Sequence, residues 1–215
     1  MQKLCSLFAL ATTLILSSPV FGQMPNAGQT PGLNAAMTKL FGDVTAFSSK
    51  ATVRLLDKSQ KETMLMPLAF ALLDGKIRAE IDLTQIKSKD IQPEAMAMFK
   101  QMGMDKMTTI IRPDRKTTMV VYPSMQGYAE VPMSKEDAAA SGKDYKITST
   151  KLGNETVDGH PCEKQKVLVT GDNGEKHEAL VWKATDLKNY PIQKQNQQGD
   201  GAVDMNYREV STARP

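Results

Sequence analysis

Residues 74–83 read Asp-Gly-Lys-Ile-Arg-Ala-Glu-Ile-Asp-Leu, a tight-turn dipeptide followed by strict alternation of charged and apolar side chains. Lys76, Arg78, Glu80 and Asp82 fall on one face; Ile77, Ala79, Ile81 and Leu83 fall on the other. A period of two belongs to an extended strand half-covered by protein, and Asp-Gly supplies the positive φ angles of a hairpin turn. This grammar recurs from Val44 to Val210. It predicts strands over 44–56, 63–73, 76–83, 107–112, 116–122, 145–152, 162–170, 175–183, 192–195 and 202–210. The run Thr63–Leu73 is apolar on both faces, as in a strand covered on both sides, and its Pro67 marks a bulge or an edge. Short turns at Pro113-Asp114-Arg115, Asp158-Gly159, Asp172-Asn173-Gly174 and Gly199-Asp200-Gly201 imply antiparallel pairing. About ten strands exceed what a flat sheet carries, so the sheet must curl.

Three segments break the period. Asp90–Met104 reads as a helix, with Pro93-Glu94 in its first turn and Gly103 at its end. Its apolar stripe is Ala95, Met98, Phe99 and Met102. Ser134–Ala140 and Leu33–Phe41 read as shorter helices, the latter capped by Asn34 and stopped by Gly42. The predicted fold class is mainly β (α+β): a curved antiparallel half-barrel with short helices over its concave face.

The first residues carry a different signal. Lys3, the apolar run Leu4–Leu16, and small residues at Val20 and Gly22 match a secretory signal peptide over 1–22, cleaved near Gly22. The run is too short for a membrane anchor, so a periplasmic or secreted protein is expected rather than an integral membrane one. Residues 23–42 form a flexible lead and short helix, and 43–215 a single domain. The chain has 27 basic and 24 acidic residues. Lys3 leaves with the signal, giving 26 − 24 = +2, a mixed surface without the basic stripe that nucleic acid needs. Cys5 leaves too, so Cys162 has no intramolecular partner. It is either a small buried hydrophobe or a reactive or intermolecular thiol.

Residues 151–192 contain Leu152-Gly153-x-Glu155-Thr156-Val157-x-Gly159-His160-Pro161-Cys162, then Val181-Trp182-x-Ala184-x-Asp186-Leu187 and Pro191. This order resembles a bacterial exported family, domain-of-unknown-function family 4412, and more distantly the LolA/LolB lipoprotein-carrier superfamily. The resemblance implies a curved antiparallel half-barrel with helices over its concave side. It also implies binding of an acyl chain, lipid or lipidated protein there.

The chain holds no GxSxG, HExxH, CxxC or glycine-rich phosphate loop. His160 and Cys162, two apart, are read as a nucleophile–base pair or as a turn histidine beside a packed cysteine. Glu80 and Asp82 share a strand face with Lys76 and Arg78, as a solvated charged face does. Met96, Met98, Met102, Met104 and Met107 cluster, and thioethers suit Cu(I), but only Met98 and Met102 share a helix face. His160, Cys162 and His177 are a second metal candidate across a hairpin. No catalytic residue, metal ligand or cofactor is assigned.

The apolar residues are the remaining candidates. Phe70, Leu72, Ile77, Ile81, Ile111, Met119, Val121 and Trp182 are expected to line one concave face, with Met98, Phe99 and Met102 on a helical lid. They form either an acyl groove or an ordinary filled core. The leading expectation is non-enzymatic binding of a hydrophobic ligand or lipidated protein in the cell envelope. A structural or partner-binding envelope protein is the first alternative, methionine-based copper binding the second, and an enzyme the last. Ligand identity and oligomeric state stay open.

Overall fold

The computed structural model describes residues 41, 44–133, 135, 138, 145–171, 174, 176–198 and 200–215. The expected signal peptide, the lead with its helix up to residue 40, and most of the expected helix 134–140 lie outside the described residues. Among those described, no helix is long and apolar enough to cross a membrane.

Among the described residues, alternation produces one antiparallel sheet of twelve strands. In chain order these are β1 (Ala46–Leu56), β2 (Glu62–Leu73), β3 (Lys76–Asp82), β4 (Lys87–Ser88), β5 (Lys106–Arg112), β6 (Thr117–Tyr122) and β7 (Gly127–Pro132), then β8 (Lys146–Val157), β9 (His160–Thr170), β10 (Lys176–Ala184), β11 (Tyr190–Gln198) and β12 (Gly201–Ser211). Their spatial order is β7-β6-β5-β3-β2-β1-β12-β11-β10-β9-β8, with β4 pairing β2. The sheet is open and curled. Register shifts at Ser48/Lys50, Leu55/Leu56, Lys151/Gly153 and Trp182/Lys183 bend the ladders, as bulges do.

Turn chemistry fixes which residues share a face. Asp74 and Gly75 take φ of 49° and 78°, the two-residue turn that pairs Leu72 with Ile77 and Phe70 with Ala79. Leu68 opposes Ile81 in the same ladder. Pairs with β1 set Phe47 against Leu72 and Val53 against Met66, and β12 adds Met205 opposite Val53 and Tyr207 opposite Ala51. Directly opposed residues point to one side, so these strands present one apolar face, buried throughout. Pro67 lies inside the sheet, neither at an edge nor in a bulge. It falls where the ladder is interrupted, between the Leu68–Ile81 pair of β3 and the Leu65–Lys87 pair of β4, so its missing N–H costs no bond on that side.

Two strands were not expected from sequence, β4 and β7. β8 also runs past Leu152-Gly153 to Val157, because a bulge there absorbs the irregularity instead of ending the strand. Helix α1 (Pro93–Gln101) begins with Pro93 and buries Phe99.

Candidate functional site

The inner face is built around aromatic rings. Phe47 on β1, Phe70 on β2, Tyr190 on β11 and Tyr207 on β12 all meet Phe41, a residue of the segment before β1, with ring centroids 4.9 to 6.1 Å away. Each ring is almost wholly buried. Lys194 enters the same cluster, its Nζ 5.7 Å from the Phe41 centroid and 6.0 Å from that of Tyr207. Burial pulls its pKa down to about 7, because a low-dielectric setting disfavours the ammonium. Burial likewise pushes the Tyr190 and Tyr207 phenols upward.

From this centre the apolar lining continues outward over Leu68, Phe70, Leu72, Ile77 and Ile81, each no more than 6% exposed. Farther out lie Leu83, Ile86, Met107 and Ile111, which pack on the core yet stay half-buried. Thus Phe70, Leu72, Ile77, Ile81 and Ile111 are brought together on one face.

Met119 and Val121 are not. Sequence suggested a three-residue Pro113-Asp114-Arg115 turn. The turn instead spans four residues, Pro113–Lys116, with Lys116 at φ 54° and its N–H bonded to the Pro113 carbonyl at 3.2 Å. The extra residue flips every side chain of β6. Ile111 now opposes Thr118, and Thr109 opposes buried Val120, while Met119 and Val121 oppose Ile110 and Thr108 on the other side.

The expected helical lid is also corrected. Ala95 and Met96 are half-buried and Phe99 is buried, but Met98 and Met102 are 45% and 41% exposed. The helix is turned so that Phe99 points inward with Met96 and Ala95 flanking it, and it packs on the 3-10 turn Leu83–Gln85. It therefore covers a margin of the sheet, not its centre.

Trp182 joins the main cluster from β10. Its Nε1 donates to Glu155 Oε2 at 2.7 Å, and Lys164 bonds the other Glu155 oxygen at 2.9 Å while lying 4.8 Å from the Trp182 ring centroid. Lys164, and then Trp182, hold the Glu155 carboxyl below its ordinary pKa. On the same strand Val181 and Ala179 point the opposite way, into a second cluster with Val167 and Val169. β10 is thereby buried on both faces.

The sequence motif surrounding Trp182 acts as a clasp. Asp158-Gly159 makes a positive-φ turn, and the Asp158 carboxylate accepts from Nε and Nη2 of Arg208 on β12 at 2.9 and 3.0 Å. His160 Nδ1 lies 2.7 Å from Asp186 Oδ2. The Thr185 hydroxyl donates to the Pro161 carbonyl at 3.0 Å. These bonds tie the β8–β9 hairpin to the neighbouring 3-10 turn Thr185–Leu187 and to β12.

Cys162 sits buried within this clasp, opposite Ala184. Its Sγ donates to the His160 carbonyl at 3.4 Å, and burial raises its pKa. A thiol bonded to a backbone oxygen is not activated by an imidazole. Two open hollows flank the clasp. One, of about 460 Å³, is walled by Lys151, Asn154, Glu155 and Glu163 among others; the other, of about 400 Å³, by Asp158, His160, Arg208 and Glu209 with Tyr207. Charged side chains of both walls are held in ion pairs, Lys151–Glu163 and Lys164–Glu155 at the first and Arg208–Asp158 at the second. No group of three His, Cys, Asp or Glu residues is placed to hold a metal among the described residues.

Sequence reasoning missed Lys194 in the polar run Gln193–Gln198. The signal was available: Tyr190, Ile192 and Lys194 alternate, so the lysine follows two buried positions.

A family model described as "Domain of unknown function (DUF4412)" matches residues 64–210. No curated protein matches the chain. Solved structures similar to it include Mycobacterium tuberculosis lipoprotein LppX, with 11% identity and a TM-score of 0.40 over 82% of this chain and 91% of that one. LprF from Mycobacterium bovis has 12% identity and a TM-score of 0.41 over 82% and 92%. A LolA superfamily protein from Nitrosomonas europaea has 10% identity and a TM-score of 0.39 over 80% and 88%.

Proposed function

We propose that this chain, which belongs to the DUF4412 family, is a non-enzymatic exported protein that holds a hydrophobic ligand against the inner face of its curled sheet. The ligand class is a lipid, an acyl chain or the lipid anchor of another protein. One observation carries the reading. Leu83, Ile86, Met107 and Ile111 extend the buried lining of β2 and β3 toward α1, yet remain half-buried. Contiguous apolar surface of that kind marks a binding site more often than an idle patch. Each acyl methylene buried there contributes about 0.8 kcal/mol, so a chain of ordinary length is held without covalent chemistry.

The test is native mass spectrometry of protein purified from its own host, paired with displacement of a fluorescent fatty acid. A bound lipid mass is expected, and Met107→Asp and Ile111→Asp should remove it while circular dichroism stays unchanged. A clean apo mass with no probe binding by the parent protein sinks the proposal.

A second reading has its own support. The rings of Phe41, Phe47, Phe70, Tyr190 and Tyr207 already occupy the middle of the face, which suits a structural or partner-binding envelope protein with a filled core. That reading expects the apo mass.

A further inference from the structure

We propose that Phe41 is a built-in competitor for the hydrophobic ligand: its ring fills the place at the centre of the inner face that the apolar end of an acyl chain takes on binding. The inference rests on the acyl-ligand reading and adds to it how access to that site is controlled.

The aromatic centre has two parts of different origin. Phe47, Phe70, Tyr207 and Tyr190 stand on β1, β2, β12 and β11, which are neighbours in the sheet. Taken in that order, successive rings lie 5.3, 5.8, 6.2 and 4.9 Å apart, so the four close a circuit. Phe41 belongs to no strand, yet it meets every member of the circuit, at 4.9, 5.9, 5.6 and 6.1 Å. These are the distances of packed aromatic pairs. The fifth ring is thus seated against the middle of the other four, and it is only 3% exposed.

The seat is built without its occupant. Ladder pairs fix the four rings: Phe47 opposes Leu72, Phe70 opposes Ala79, Tyr207 opposes Ala51 and Tyr190 opposes Ala184. Phe41 takes no part in them. Its carbonyl accepts from the Val44 N–H at 3.2 Å, a backbone bond that any side chain at 41 permits. A smaller side chain there therefore empties the seat and leaves the ladders intact.

The seat is continuous with the lining where the ligand is placed. The Phe41 and Phe70 rings are stacked at an interplanar angle of 26°. Phe70 lies between Leu68 and Leu72 on one face of β2. Those two oppose Ile81 and Ile77 on β3, which in turn oppose Met107 and Ile111 on β5. All belong to one apolar cluster, half-buried at its Met107 and Ile111 margin. A chain followed inward from that margin ends at the Phe41 ring. Of the residues just named, Phe41 alone is not carried by a strand, so it is the one that can yield. A ligand that must displace a seated ring binds with its intrinsic affinity multiplied by the fraction of chains whose seat is empty. Burial of a phenylalanine side chain makes that fraction about one in ten or less.

The experiment compares binding of a fluorescent fatty acid by the full chain and by two variants, with circular dichroism as the check on folding. Phe41→Ala should bind the probe about tenfold more tightly or better. Phe41→Leu, which keeps a smaller apolar side chain in the seat, should gain less. A ring with a merely structural role predicts the opposite sign, because its loss would loosen the four rings around it. The inference is overturned if the parent binds the probe and both folded variants bind it no more tightly; the acyl-ligand reading then stands. Failure of both variants to fold overturns it as well, since the seat would then depend on its occupant. No binding by the parent or by either variant overturns the competitor and the acyl ligand together.

Discussion

β12 and β7 belong to one sheet and differ in almost everything else. In β12 the six residues Ala202–Tyr207 are all buried; in β7 every residue after Gly127 is exposed. Val203, Met205 and Tyr207 face the aromatic centre. On the reverse side Asp204 accepts from Gln193 at 3.0 Å, and Asn206 lies beneath the Asp158–Arg208 clasp. The β7 side of the sheet is a single layer, with Tyr128 and Val131 open to solvent. The lesson is that hydrogen bonding alone makes a strand, whereas double coverage makes a core. Full burial is concentrated around β1, β2, β11 and β12, and partly exposed apolar surface around α1 and β5–β7.

Large-to-small changes should break this contrast most visibly. Phe47→Ala removes a ring in contact with three other aromatic residues besides Phe41, and should cost about 3–5 kcal/mol in urea unfolding. A cost below that of an ordinary surface change would mean the aromatic centre is loosely packed.

Next comes pH. The folded-state pKa of Lys194 is about 7, well below the roughly 10.4 of an unfolded lysine. Between those values the unfolded chain binds more protons, so stability should rise with pH from about 7 to 10, and below 7 the cost of burying this group is at its greatest and no longer changes with pH. Lys194→Met should flatten that slope. A pH profile identical in parent and variant would place the ammonium in a far wetter setting.

A smaller loss is expected at the start of β12. A Cβ on Gly201 would collide with the Leu56 carbonyl oxygen. Gly201→Ala should therefore cost about 1–3 kcal/mol, as overpacking does, read as a lower thermal midpoint. The smallest effect belongs to the other margin. Tyr128, 68% exposed, should tolerate Tyr128→Ala within about 0.5 kcal/mol. A loss comparable to that of Phe47→Ala would erase the distinction between the two regions.

Much of this was legible in advance where a turn declared its own length. Asp74-Gly75 announced a two-residue hairpin, and the faces of β3 followed correctly; β2, expected to be covered on both sides, buries only the Met66–Leu72 face and leaves Ala69 exposed on the other. Pro113–Lys116 gave no such count. Nothing in the sequence shows that Lys116 adopts a left-handed backbone, so Met119 and Val121 were placed on the wrong side by one residue. β7 escaped notice because its alternation covers six residues, ends in Pro132 and buries none of them fully. The helix was found, but its rotation depends on which large side chain reaches the sheet, and Phe99 decided that over Met98 and Met102. For Lys194 the alternation Tyr190, Ile192, Lys194 marks the buried position, while the Phe41 and Tyr207 rings beside its Nζ come together only in the assembled sheet.

The ladder ends at β7 on one side and β8 on the other, and these two strands do not pair with each other. A closed cylinder has a circumference fixed by its bonds. Here no such closure sets the curvature, because among the described residues the two terminal strands each leave one edge unpaired. The space left on the inner face is therefore set by side chains, above all the Phe41 ring that lies among Phe47, Phe70, Tyr190 and Tyr207.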